Sequence, residues 1–125
     1  MSVKVQLEEV RDQVEACRSC AFLLTVTEGG QPHAVSVDVT WQDGALVGGA
    51  GRRTAANAER SPEVSLLWPQ SGREGYALIV DGTAEVRPDG DTAIVTVQPT
   101  GAVLHVLPEA RGQGPGCVAI MGHGA

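Results

Sequence analysis

The chain has 125 residues, a formal net charge of −6 and an apolar share of 42%, with only four aromatic side chains, Phe22, Trp41, Trp68 and Tyr76. This length fits one domain with one core, and the apolar share is too high for a disordered chain. The acidic balance leaves no basic stripe to displace counterions from nucleic-acid phosphates, and no run of about 18 apolar residues is present to span a membrane.

The core must therefore be assembled from Val, Leu, Ile and Ala. With 16 glycines besides, it is expected to be thin and to gain from self-association or a bound ligand. The first residues, MSVKVQLEEV, carry charge early and have no apolar h-region, so no signal peptide is expected and a cytoplasmic location is the default. Three cysteines, an odd number, suit a reducing compartment better than a disulfide framework.

Val3, Leu7, Val10, Val14 and Cys17 recur at spacings of four and three, which predicts an amphipathic helix over residues 3–17 with Ser2 as its N-cap. The period then changes to two. Residues 21–27 read as a strand ending in the turn Glu28-Gly29-Gly30, and residues 33–41 as a second. Val35, Val37, Val39 and Trp41 alternate there with Ser36, Asp38 and Thr40. His33 is assigned to the side opposite the apolar face, where it either bonds a cofactor or meets water. Gln42-Asp43-Gly44 turns the chain into a third strand over residues 45–50.

The β pattern breaks at Gly51-Arg52-Arg53-Thr54. Thr54 is expected to cap a helix of about two turns, with Pro62 just beyond its end. Residues 64–68 form the fourth strand, and 76–86 a long fifth that bulges at Asp81-Gly82. Turns at 87–91 and 98–101 then frame two further strands, 92–97 and 102–107. Residues 1–108 are expected to form the domain, and the Gly- and Pro-rich residues 109–125 a tail with little structure of its own. Six or seven short strands with two helices imply a mainly β barrel or sandwich.

The stretch Gly48 to Trp68 is the most informative. Gly48, Gly49 and Gly51 permit close approach to the backbone. Two guanidiniums, a hydroxyl and a helix start then converge, which is an anion site by ordinary electrostatics. Asn57, one turn on, offers a further donor. Composition alone leaves the alternative open that the two arginines are solvated loop residues and Asn57 an exposed helix polar.

Three segments in order, AFLLTVTEGGQPHAVSVDVTW, GALVGGAGRRTAANAERSPEVSLLWP and GYALIVDGTAEV, resemble the pyridoxamine 5'-phosphate oxidase-like split β-barrel family. The resemblance covers roughly residues 20–86. It implies a split barrel that binds FMN, or alternatively the deazaflavin F420, at the interface of a homodimer and performs hydride chemistry on the cofactor ring. Arg52, Arg53, Thr54 and Asn57 would then hold the cofactor phosphate. His33, Val35, Ser36 and Val37, with Gly48, Gly49 and Ala50, would line its groove. A carrier that binds a flavin or small molecule without turnover remains the alternative from another class. The short turn after GTAEV, where larger members carry helical material, leaves the substrate unassigned.

Other constellations carry less. Cys17-Arg-Ser-Cys20 sits at a helix C-terminus, the wrong end for a thioredoxin-like thiolate. With Cys117 and His123 it could form a Cys3His set, but that spacing is loose and no metal site is expected. Trp68 is read as core and His105 as structural. No Ser/His/Asp order or supported carboxylate pair appears, so no catalytic acid–base residue is nominated.

Overall fold

The computed structural model describes residues 2–108. The proposed tail, with Cys117 and His123, lies outside them. The described chain runs β1 (Ser2–Val5), a 3-10 turn (Leu7–Glu9), α1 (Val10–Glu15), β2 (Ala21–Val26), β3 (Pro32–Val37), β4 (Val39–Gln42), β5 (Ala45–Ala50), α2 (Arg52–Arg60), β6 (Glu63–Trp68), β7 (Tyr76–Asp89) and β8 (Thr92–Val106). The eight strands form one antiparallel sheet in the order β3-β2-β6-β7-β8-β5-β4, with β1 beside the far half of β8. The sheet's end strands, β3 and β4, are consecutive in the chain, so the sheet curls into the expected split barrel.

The interior is aliphatic, as the composition requires. Leu46, Leu66, Leu78 and Val80 have no exposure at all, and Trp68 is buried among them at 4%. Alternation places them there: in β2, Ala21, Leu23 and Thr25 point inward while Phe22, Leu24 and Val26 point out. Val10 and Val14 of α1 close one end of this core. Residues 43 and 44 make the β4–β5 turn with φ of 49° and 84°, the left-handed pair that an Asp-Gly hairpin supplies.

Four expectations change. Residues 2–5 are a strand rather than a helix, because Val3 and Val5 also alternate and β8 offers an unpaired edge opposite Leu104 and Ala102. Ser2 accordingly caps nothing, and its Oγ lies 3.4 Å from His105 Nδ1. Residues 33–41 form two strands, broken at Asp38. Finally, Gln98–Gly101 is no turn: β8 runs unbroken through it. Asp81 pairs with Gly101 and Gly82 with Pro99, so the register shifts at Asp81-Gly82 as expected, with Thr100 of β8 as the extra residue. Gly82 sits at this shift because a Cβ there would come within 2.5 Å of the Gln98 carbonyl oxygen.

Candidate functional site

The helix after β5 begins three residues earlier than its sequence suggests. Gly51, extended at φ −75° and ψ 175°, is the N-cap, and no side chain caps it. The first backbone bond of α2 runs from Ala55 N–H to Gly51 C=O (2.9 Å), so the amides of Arg52, Arg53 and Thr54 precede the ladder. Thr54 is therefore not the cap. It lies in the first turn, 4% exposed, on the face turned to the core. Arg52 and Arg53 are exposed, and among the described residues no carboxylate lies within ion-pair distance of either. Two unpaired guanidiniums and an uncapped dipole end thus share one spot, where an anion is favoured by up to a few kcal/mol.

The glycines divide by role. A Cβ at Gly48 would meet Val39 Cγ1 at 2.7 Å and the Asp38 carbonyl at 2.8 Å, so Gly48 serves the approach of β4 to β5. Gly49 has nothing nearer than 4.0 Å and Gly51 nothing within that range, which leaves the backbone open just before the helix. A cleft of about 200 Å³ between α2 and the β7–β8 hairpin opens beside Arg52, walled by Ala56, Glu59, Val86 and Pro88.

Asn57 is placed differently from the arginines. It is 3% exposed, donates Nδ2–H to Thr25 Oγ1 at 3.1 Å and accepts from Arg60 Nη2 at 2.9 Å. Arg60 also donates to the Val26 carbonyl at 3.4 Å. This network ties the end of α2 to β2. Sequence reasoning missed Thr25 and Arg60; the available signal was a polar residue at an inward position of β2.

Of the residues expected to line a groove, Val35, Val37 and His33 all face the barrel interior. His33 shares the parity of Val35 and Val37, so it lies on the apolar face and not opposite it. It is half-buried, and its Nδ1 is buried without a partner. Ser36 points outward and is exposed; Ala50 is buried at 9%. The interior space between Val37, Gly48, Leu66 and Val95 is only about 10 Å³, room for at most one water, so a ligand of any size must bind outside the barrel. β3 does touch β5, and β5 leads straight into the helix start.

At the other end of the molecule, Cys17 donates Sγ–H to the Gln13 carbonyl at 3.3 Å, and burial pushes its thiol up to about 11. It is a poor thiolate, as its position at the end of α1 implies. Cys20 is exposed.

The sequence model for pyridoxamine 5'-phosphate oxidase matches residues 7–111. The chain belongs to that family. An uncharacterised protein of Mycobacterium bovis is 39% identical over 113 residues, covering 78% of this chain and 80% of its own. Among solved structures, an F420 reductase superposes with a TM-score of 0.60 at 20% identity, over 67% of this chain and 88% of that one. A FAD-binding protein from Mesorhizobium loti gives 0.63 at 15% identity, over 83% and 97%. These likenesses establish the oxidase-family split barrel as the fold.

Proposed function

We propose that the chain is a small flavin-dependent oxidoreductase that holds FMN by its phosphate at the start of α2 and works as a cytoplasmic homodimer. One observation carries the reading: the uncapped amides of α2, the unpaired Arg52 and Arg53, and the open backbone at Gly49 and Gly51 converge at the start of α2. Arg52, Arg53 and the first-turn amides of α2 would bind the phosphate, while Ser36 and Gly49 lie on surfaces the rest of the cofactor can reach. Thr54 supports that turn from the core side, and Asn57 anchors the far end of α2 to β2. When bound, the flavin ring supplies the hydride chemistry, and the protein orients it and limits water access.

F420 is the second reading, favoured by the F420 reductase among structures of this fold. Its acidic tail needs cations along an exit path, and the chain carries only nine Lys and Arg in all, which favours FMN. A carrier without turnover is the third reading. The test is the absorbance spectrum of freshly purified protein, then titration with FMN and with F420. Binding of either below about 100 μM, roughly −5.5 kcal/mol, is expected. Binding of neither sinks the cofactor assignment, and binding with no reduction of any acceptor leaves the carrier.

A further inference from the structure

The motif Cys17-Arg18-Ser19-Cys20 has no part in the cofactor site. It links α1 to β2, and both cysteines stand as free thiols. The link is pinned to the loop after β6. Arg18 N–H donates to the Gln70 carbonyl at 2.9 Å, Gln70 N–H to Ser19 Oγ at 3.0 Å, and Arg18 Nε–H to the Ser71 carbonyl at 3.4 Å. The chain bends at both Arg18 and Ser19. Four residues with two bends hold their end Cα atoms at about the 7 Å that a disulfide can span. Cys17 and Cys20 also line one cavity, of about 390 Å³, together with Val37, Asp38 and Trp68. Among the described residues no group of three metal-ligating side chains forms, so the pair lacks the further ligands of a zinc centre.

We propose that Cys17 and Cys20 are a dithiol pair that a small-molecule disulfide oxidises to an intramolecular disulfide. The pair stands apart from the flavin reading, because every reacting group belongs to the α1–β2 link. Cys20, exposed, is the sulfur that meets the oxidant. Its thiolate attacks one sulfur of the small disulfide, that S–S bond breaks, and one thiolate leaves with the electron pair. Cys17 then loses its proton, attacks the Cys20 sulfur and expels the second thiolate. Two protein thiols are oxidised, the small disulfide is reduced to two thiols, and the two protons end on those thiols.

The two sulfurs differ in the way this division of roles requires. Cys17 is half-buried, and its Sγ–H is held by the Gln13 carbonyl at 3.3 Å, so it is the poorer first nucleophile. With its thiol pushed up to about 11, only about one part in a thousand is ionised at pH 8. Its attack on Cys20, however, is intramolecular. Effective molarities of about 10⁵ M or more for well-placed groups outweigh that deficit. The shared cavity gives the Cys17 side chain room to turn from Gln13 toward Cys20, and it admits a small disulfide rather than a folded partner.

Incubation of the full chain with glutathione disulfide at pH 8, read by mass spectrometry of the intact and digested protein, tests this. The wild type should lose the mass of two hydrogens, with Cys17 joined to Cys20, and a reductant should restore both thiols. Cys17→Ser should instead accumulate a glutathione adduct on Cys20. Cys20→Ser should react at Cys17 at least about tenfold more slowly than the wild type reacts at Cys20. Cys117→Ser should form the same link as the wild type. Cys20 joined to Cys117 or to a second chain overturns the pair, as does a glutathione adduct that persists on Cys20 in the wild type. Cys17 reacting in Cys20→Ser as fast as the wild type overturns the order of attack.

Discussion

The two ends of α2 are nine residues apart at most and are built from the same residue types, yet they are finished in opposite ways. At its end, Asn57 and Arg60 spend their polar groups on Thr25, Val26 and each other, and Asn57 is sealed from water. At its start, Arg52 and Arg53 are exposed and unpaired among the described residues, and Gly51 offers no cap. A polar group satisfied inside the fold stabilises the fold. One left unsatisfied beside a dipole end is available to a ligand. Residue type does not separate these cases; the partner does.

The strongest way to break this comparison is the double substitution Arg52→Ala with Arg53→Ala. Loss of two charge-assisted contacts should weaken FMN binding by about 3 kcal/mol, while the melting temperature stays within about 2 °C. An unchanged Kd in the titration moves the anion site elsewhere. Asn57→Ala should do the reverse. It leaves the buried Thr25 hydroxyl without its partner and should cost about 2 kcal/mol of stability in urea unfolding, with FMN affinity of the folded protein nearly unchanged. A large affinity loss with normal stability would make Asn57 a ligand after all.

Gly51→Asp sharpens the contrast within the first turn. A side-chain cap should stabilise the helix by a few tenths of a kcal/mol and, by bringing a carboxylate to the anion site, weaken FMN about tenfold. Cys17, remote from α2, gives the smallest effect. Its raised folded value means that its contribution to stability is intact below pH 9 and is lost as the pH rises toward about 11. Unfolding of wild type and Cys17→Ala should therefore diverge only above pH 9, and a thiol reagent at pH 8 should label Cys20 first.

Much of this was legible in the chain. The hairpin turns, the β5–α2–β6 order and the Asp81-Gly82 bulge carry local signals that tertiary structure had no reason to override. The rest failed for identifiable causes. Val3, Leu7, Val10 and Val14 fit a helical period, but whether residues 2–5 pair with β8 depends on an edge a hundred residues away. Gln98-Pro99-Thr100-Gly101 has the composition of a turn, and only its pairing with β7 shows that it is a strand. The Thr25–Asn57–Arg60 network joins residues 32 apart, beyond any local pattern. His33 is the one error of reading rather than of reach, because counting back two from Val35 puts it on the inner face.

The hairpin of β7 and β8 pairs from Tyr76 with Val106 to Asp89 with Thr92 around a tight turn at Gly90, where φ is 64°. Closing such a ribbon needs only a short loop, whereas the β2–β6, β5–β8 and β1–β8 pairings join distant parts of the chain. The ribbon can therefore assemble early, with β5, β6 and β1 zipping onto its two edges afterwards. In native-state hydrogen exchange, the amides of Leu78, Val80 and Leu104 should be the last to open, and those of β3 and β4 should exchange well before them.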